Sequence, residues 1–205
     1  MQGYIININK VKDEDLIVSI LTENNFYTAY RFYGARHSNI NVGFKIDFEL
    51  ESNQKSNMPR LKDVLHISTP WLLDNIKLYS WQRFIKLFYP HLKDVEYIEN
   101  FYFMLLDNLS HKIIKQNPKR AIIESYIELC EYEGRLHTHY ECLICEQEIV
   151  SDLSIVRGFF PTHASCIYGR KFKLFQVKEL FEEKSLLSFS DDDVDYLWKI
   201  LLQGI

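Results

Sequence analysis

Between residues 3 and 68 the apolar positions come in short runs with a period close to two. "GYIININ", "DLIVSILT", "FYTAYRFYG", "GFKIDFEL" and "LKDVLHIS" predict five strands, because alternation puts one set of side chains on each face of a pleated sheet. The polar stretches "KVKDE", "ENN", "ARHSNINV" and "ESNQKSNMPR" separate them. Asp13, Glu14 and Asp15 fall in the first separator and are expected in a solvated turn. Five short strands in so few residues suggest a small barrel, with the five-stranded oligonucleotide/oligosaccharide-binding (OB) fold as the leading candidate. A small sandwich or an SH3-like barrel fits the count as well.

At "STPWLLDN" the period turns helical. Ser68 or Thr69 can cap, Pro70 suits the first helical position, and Trp71, Leu72, Asn75, Ile76, Tyr79 and Phe84 follow at helical spacing. Helices are predicted over about 70–88, 95–115, 119–133, 174–187 and 191–203. Ser190 is placed to cap the last one, with Asp191, Asp192 and Asp193 at the positive end of its dipole. The expected class is therefore α+β, with an N-terminal five-stranded OB-fold barrel over 1–68 and a helical domain over 69–205 that carries a zinc-binding hairpin at about 137–170.

Composition narrows the class further. The chain has 205 residues and is 47% hydrophobic, with 14 Phe, 13 Tyr and 3 Trp, which excludes a disordered chain. No apolar run approaches the ~20 residues that span a bilayer, and "MQGYIININK" has no leader pattern. A cytoplasmic protein with no membrane partner is expected. The net charge of −4 gives no global support for nucleic-acid binding, but the charges are unevenly spread. Lys112, Lys115, Lys119 and Arg120 lie in one acid-free stretch; Arg157, Arg170, Lys171, Lys173 and Lys178 lie in another. These form a candidate set for contacts to DNA or to an acidic protein tail.

The chemistry-bearing residues concentrate in "YECLICEQEIVSDLSIVRGFFPTHASCIYGR". Cys142 and Cys145 form one ligand pair, His163 and Cys166 the other, at the spacing of a structural zinc site. The intervening chain is long enough for a hairpin that returns the second pair to the first. Four good ligands leave no open position for a metal-bound water, so the zinc is expected to be structural rather than catalytic. His137 and His139 lie just ahead of Cys142 and are expected in a polar connecting loop, and Cys130 sits at helical spacing among apolar residues as a buried thiol. No Walker loop, Gly-x-Ser-x-Gly or His-Glu-x-x-His occurs, and the chain is expected not to be an enzyme.

The segment "VKDEDLIVSILTENNFYTAYRFYGARHSN", followed by "VGFKIDFEL" and "RLKDVLHI", resembles the amino-terminal part of the bacterial recombination mediator family RecO. Leu16 to Thr22 matches its apolar strand, and Gly34, Ala35 and Arg36 match the end of its third strand. Tyr33 stands where the family has lysine, His37 where it has a basic residue, and His163 where cysteine is common. "FFPTHASC" is similar to the family's run before the second ligand pair. The resemblance implies a DNA repair and recombination protein of the cytoplasm and nucleoid that binds single- and double-stranded DNA, anneals complementary strands, contacts the C-terminal tail of the single-strand-binding protein SSB, and acts with RecR to help load RecA. A zinc-stabilised adaptor with weak DNA binding of its own is the alternative.

Strand alternation puts Tyr27, Ala29, Arg31 and Tyr33 on one face of the third strand, with Arg36 and His37 just beyond. That set is the expected DNA surface, with Lys10 and Lys45 as phosphate contacts. The opposite set, Phe26, Tyr30 and Phe32, remains open as the outward one, because a period of two does not choose the face.

Overall fold

A computed structural model describes residues 1–12, 14–52 and 57–205; Asp13, expected in the first turn, lies outside the described residues. The chain packs as two compact units, Met1–Lys115 and Gln116–Ile205.

In the first unit the alternating segments form β1 (Gln2–Lys10), β2 (Leu16–Leu21), β3 (Phe26–Arg31), β4 (Lys45–Glu51) and β5 (Arg60–Ile67). They close into a barrel in the order β1-β2-β3-β5-β4. β4 pairs back to β1 at Gln2 and Asp47, and β3 meets β5 in parallel at Tyr30 and Arg60. This is the five-stranded barrel that the pattern predicts, in the OB order. Ile5, Val18, Ile20, Ala29, Ile46, Phe48 and Leu61 fill it. Closure removes the exposed strand edges that would invite aggregation, and register shifts in β1 and β4 let those strands bend.

β1 is buried on both faces, since Tyr4 and Ile6 on its outer side are as covered as Ile5 within. Helices supply the outer cover: after a 3-10 turn at Pro70–Leu73 come α1 (Asn75–Ile85), α2 (Phe88–Leu92) and α3 (Asn100–Lys115). Neither Ser68 nor Thr69 caps α1. Asp74 does, its carboxylate accepting from the N–H groups of Ile76 and Lys77, because the proline turn delays the helix start. Trp81 anchors α1 by donating from Nε1 to the Gly43 carbonyl at 2.7 Å. A Cβ on Gly43, whose φ is +89°, would lie 2.7 Å from that ring. Glycine is therefore required both for the backbone and for the approach.

The second unit contains α4 (Pro118–Tyr132), β6 (Asp152–Ile155), β7 (Pro161–His163), α5 (Ala164–Ile167), β8 (Phe172–Lys173), α6 (Leu174–Glu183) and α7 (Asp191–Leu201). Its small sheet has the order β7-β6-β8. Asn117 caps α4 ahead of Pro118, and Ser190 caps α7 in a reciprocal box with Asp193. Tyr126, Phe159, Val177, Leu180, Leu197 and Leu201 are buried where these elements meet. Among the described residues, no helix is long and apolar enough to cross a membrane.

Candidate nucleic-acid interface and metal centre

Barrel geometry decides which face of β3 looks out. In register, Val18 opposes Ala29 and Ile20 opposes Tyr27, and all four belong to or pack against the barrel core. The set expected to meet DNA is therefore the inner one: Tyr27 is half-buried against the core and lines a separate groove with Met1, Gln2 and Thr22. Arg31, opposite Leu16, sits at the barrel's end and donates from Nη1 to the Leu61 carbonyl at 2.9 Å. Lys45 is also spoken for. Its ammonium pairs with Asp107 of α3 at 2.5 Å, and the side chain is only 17% exposed. Burial pushes the Asp107 carboxyl up, but hydrogen bonds from Lys45 and Tyr4 outweigh it and hold the carboxyl below its ordinary range.

Beyond Arg31 the chain leaves the strand, so alternation no longer governs it. Tyr33 takes a left-handed conformation, with φ of 51°, and Gly34–Arg36 forms a 3-10 turn. Asp15 accepts the Tyr33 N–H at 2.7 Å, and the Ala35 N–H bonds the Glu14 carbonyl at 2.9 Å. A Cβ on Gly34 would lie 2.8 Å from Leu16, so glycine lets the turn sit on the end of β2. The turn presents Tyr33, Arg36 and His37 to solvent. The Arg36 guanidinium pairs with Glu14.

Two grooves flank this turn. One, of about 400 Å³, is lined by Lys10, Arg36, His37 and Asn41 among others. The second, of about 680 Å³, is lined by Arg31, His37, Asn39, Lys62 and Asp63 together with Val64 and Leu65. His37 belongs to both, so Lys10, Arg31, Arg36 and His37 come together at one end of the barrel, while Tyr27 and Lys45 line neither groove. Arg31 Nε and Asn39 Oδ1 are shielded from solvent and have no partner among the described residues. Lys62 and Asn39 were not foreseen. The run "RLKD" does place Arg60 and Lys62 on one face of β5, and that alternation was the available signal.

The four candidate metal ligands come together as their spacing predicts. The chain from Tyr140 to Ile149 folds back on itself, with Ile149 N–H bonding Tyr140 O and Cys142 N–H bonding Gln147 O. β6 and β7 bring His163 back, and Cys166 follows one turn on in α5. The potential ligand atoms of Cys142, Cys145, His163 and Cys166 lie within 4.8 Å of one another. His163 Nδ1 is 3.3 Å from Cys145 Sγ, and the His163 backbone N–H points at Cys142 Sγ at 3.2 Å. Burial pushes the Cys142 thiol up, but N–H groups of His163, Cys145 and Ile144 overcome it and bring it down to about 6. Burial and the neighbouring sulfurs of Cys145 and Cys142 raise Cys166 to about 11. Three sulfurs and one imidazole nitrogen with amide support fit a tetrahedral metal such as zinc. His137 stacks on Phe160 with centroids 4.1 Å apart, and neither His137 nor His139 belongs to the ligand cluster.

At least four of the nine cations in the second set are paired with acids of the second unit. Lys119 reaches Asp195 at 2.6 Å, Arg120 reaches Asp191 at 2.8 Å, Arg170 reaches Asp193 at 2.5 Å and Lys173 reaches Asp152 at 3.0 Å. The basic stretches and the acidic start of α7, separate in sequence, partly neutralise one another. Lys178 lies over the Tyr140 ring at 5.3 Å, and Lys112 is half-buried. Lys115, Arg157 and Lys171 remain exposed without an ion pair among the described residues.

Residues 1–72 match the family model described as RecO N terminal. The matched span is the whole barrel and its exit turn. No curated protein matches the chain.

Proposed function

We propose, starting from a RecO amino-terminal domain over residues 1–72, that the protein is a non-enzymatic recombination mediator that binds DNA at the β3–β4 end of its barrel. The observation that carries this is the convergence of Lys10, Arg31, Arg36, His37 and Lys62 on two adjoining grooves. Backbone phosphates would lie along these cations, and the shielded Arg31 Nε and Asn39 Oδ1 offer hydrogen bonds to a strand or its waters. Annealing follows physically from holding flexible strands by their phosphates while leaving bases free to pair.

In this account zinc occupies the three-cysteine, one-histidine cluster. Bound there, it would cross-link the two ligand pairs and hold the hairpin against the helices. All four protein ligands being present, no position is left for a reacting water, which is consistent with a protein that does not turn over substrate. RecR and the SSB tail are the partners that the family implies, with RecA loading as the outcome, and the division into a DNA-binding barrel and a helical metal-bearing domain belongs to the same proposal.

Fluorescence anisotropy of labelled DNA at two salt concentrations tests it. Neutralising Lys10 and Arg36 by Lys10→Ala and Arg36→Ala should weaken binding more at low salt than at high, since a protein that meets fewer phosphates releases fewer counterions and depends less steeply on salt. Equal affinity of variant and wild type at both salts would remove this interface. Firm capture of an SSB tail peptide by a protein without DNA affinity would favour the adaptor alternative.

A further inference from the structure

Next to the cationic grooves stands a group of aromatic rings whose arrangement phosphate binding does not explain. Phe32 is 48% exposed and Tyr33 is 59% exposed, although both are large apolar side chains on the surface of a closed barrel. Each carries a guanidinium: Arg60 lies over the Phe32 ring at 5.2 Å, and Arg36 over the Tyr33 ring at 5.1 Å. Neither ring is loosely held. Tyr30 meets Phe32 in a T-shaped contact at 4.8 Å, and its hydroxyl donates to Asp15 at 2.6 Å. The other Asp15 oxygen accepts the Tyr33 N–H. One carboxylate thus braces both rings, through Tyr30 on one side and through the backbone on the other. The Tyr30 hydroxyl and the Tyr33 amide hold the Asp15 carboxyl below its ordinary range.

Tyr33 is also in the left-handed region, with φ of 51°. A bulky residue there costs free energy that the surroundings must supply, and such residues cluster where a side chain has to be presented in one orientation. The two arginines are already answered by acids, Arg36 by Glu14 and Arg60 by Glu51 at 3.9 Å. Each guanidinium is thereby fixed over its ring and holds it flat against the barrel. A preorganised ring on a polar surface is what an unpaired base needs, because every base offers a π-face and stacking is indifferent to sequence.

We propose that Phe32 and Tyr33 are stacking platforms for unpaired bases, which makes the barrel a reader of single strands rather than of duplex. This rests on the assignment of DNA to the neighbouring grooves, and it adds what the grooves lack: phosphates are common to both forms of DNA, whereas exposed base faces belong only to the single strand. The base contribution, being stacking between neutral faces, persists at salt concentrations that weaken the phosphate contacts.

The test compares three fluorescein-labelled probes of about 12 nucleotides, within the usual site size of an OB fold: oligothymidylate, a duplex of the same length, and a single strand of abasic sites. The full-length wild type should bind oligothymidylate at least about tenfold more tightly than the abasic strand, an advantage retained at high salt. In the Phe32→Leu/Tyr33→Leu variant that advantage should vanish, with duplex affinity unchanged. Wild-type affinities that do not distinguish bases from abasic backbone would overturn the proposal while leaving DNA binding intact, and this arm needs no variant to fold. A variant that loses duplex and single-strand affinity equally would also overturn it. Absence of binding to every probe at low salt would remove both this proposal and the groove assignment.

Discussion

The barrel and the metal hairpin are held by different means. In the barrel, order comes from a closed ring of strands and an apolar interior from Ile5 to Leu61, with no need of a ligand. In the hairpin the strands are two to four residues long, and Leu143, Ile144 and Val150 are exposed beside the ligand turns. Leu153, Ile155, Phe159 and Phe172 are buried and seat the small sheet in the second unit, whereas the ligand turns carry exposed apolar side chains that a metal held by the two ligand pairs would tie together. The contrast extends to electrostatics: Lys10, Arg31, Arg36, His37 and Lys62 gather on grooves at one end of the barrel, while Lys119, Arg120 and Arg170 of the second unit are paired with aspartates of α7.

The largest effect expected from this contrast is that of metal removal. Chelation, or Cys142→Ser, should unfold the hairpin and leave the barrel's melting transition in place, because metal binding in such sites is itself folding free energy of ~10 to 16 kcal/mol in isolated peptides. Hydrogen exchange read segment by segment checks this; protection of residues 140–168 that survives chelation would erase the distinction, as would protein freshly purified without bound metal.

Within the first unit, Asp107→Ala should cost about 3 kcal/mol by stranding the half-buried Lys45 ammonium and the Tyr4 hydroxyl. The Asp107 carboxyl titrates below its unfolded value, so its stabilisation is complete above that value, about 3.9, and is lost as the pH falls toward the folded one. Acid denaturation monitored by circular dichroism should therefore be steeper below about pH 4 in the wild type than in the variant; identical acid limbs would show that the pair is not coupled to folding.

A smaller change is expected at Gly34. The methyl of Gly34→Ala meets Leu16, and overpacking there should cost about 2 kcal/mol while displacing Arg36 and His37 from the grooves. Denaturant unfolding and DNA titration should move together. Smallest is Ser190→Ala, a lost helix cap worth about 1 kcal/mol in the second unit, with no effect on barrel stability or DNA affinity. A loss of DNA affinity from this change in the second unit would place part of the DNA path there.

Much of this was legible in the sequence, for identifiable reasons. All five strands were read from short, mostly alternating apolar runs, although β1 and β2 are buried on both faces, and the four candidate metal ligands were read from spacing because two residues between ligands suit one tight turn. The direction of β3 was not legible: alternation fixes that Tyr27, Ala29 and Arg31 share a face, but only their pairing with Ile20, Val18 and Leu16 shows that this face is inward. The fate of the cations was hidden for a related reason. Lys45 meets Asp107 and Lys119 meets Asp195 only after folding, so an acid-free stretch in the chain need not be a basic patch in space. Tyr33 escaped the alternation because the backbone turns left-handed there, which puts it on the surface although its parity with Ala29 would bury it.

The central claim is that the barrel end gives this protein DNA-handling activity of its own. Annealing of two complementary dye-labelled strands, followed by energy transfer at low and moderate salt with and without SSB, tests it most directly. The account predicts that wild-type protein accelerates annealing, that the acceleration weakens as salt rises, and that Lys10→Ala/Arg36→Ala loses most of it at low salt. Annealing at the spontaneous rate under every condition, by protein whose fold is intact, would contradict it.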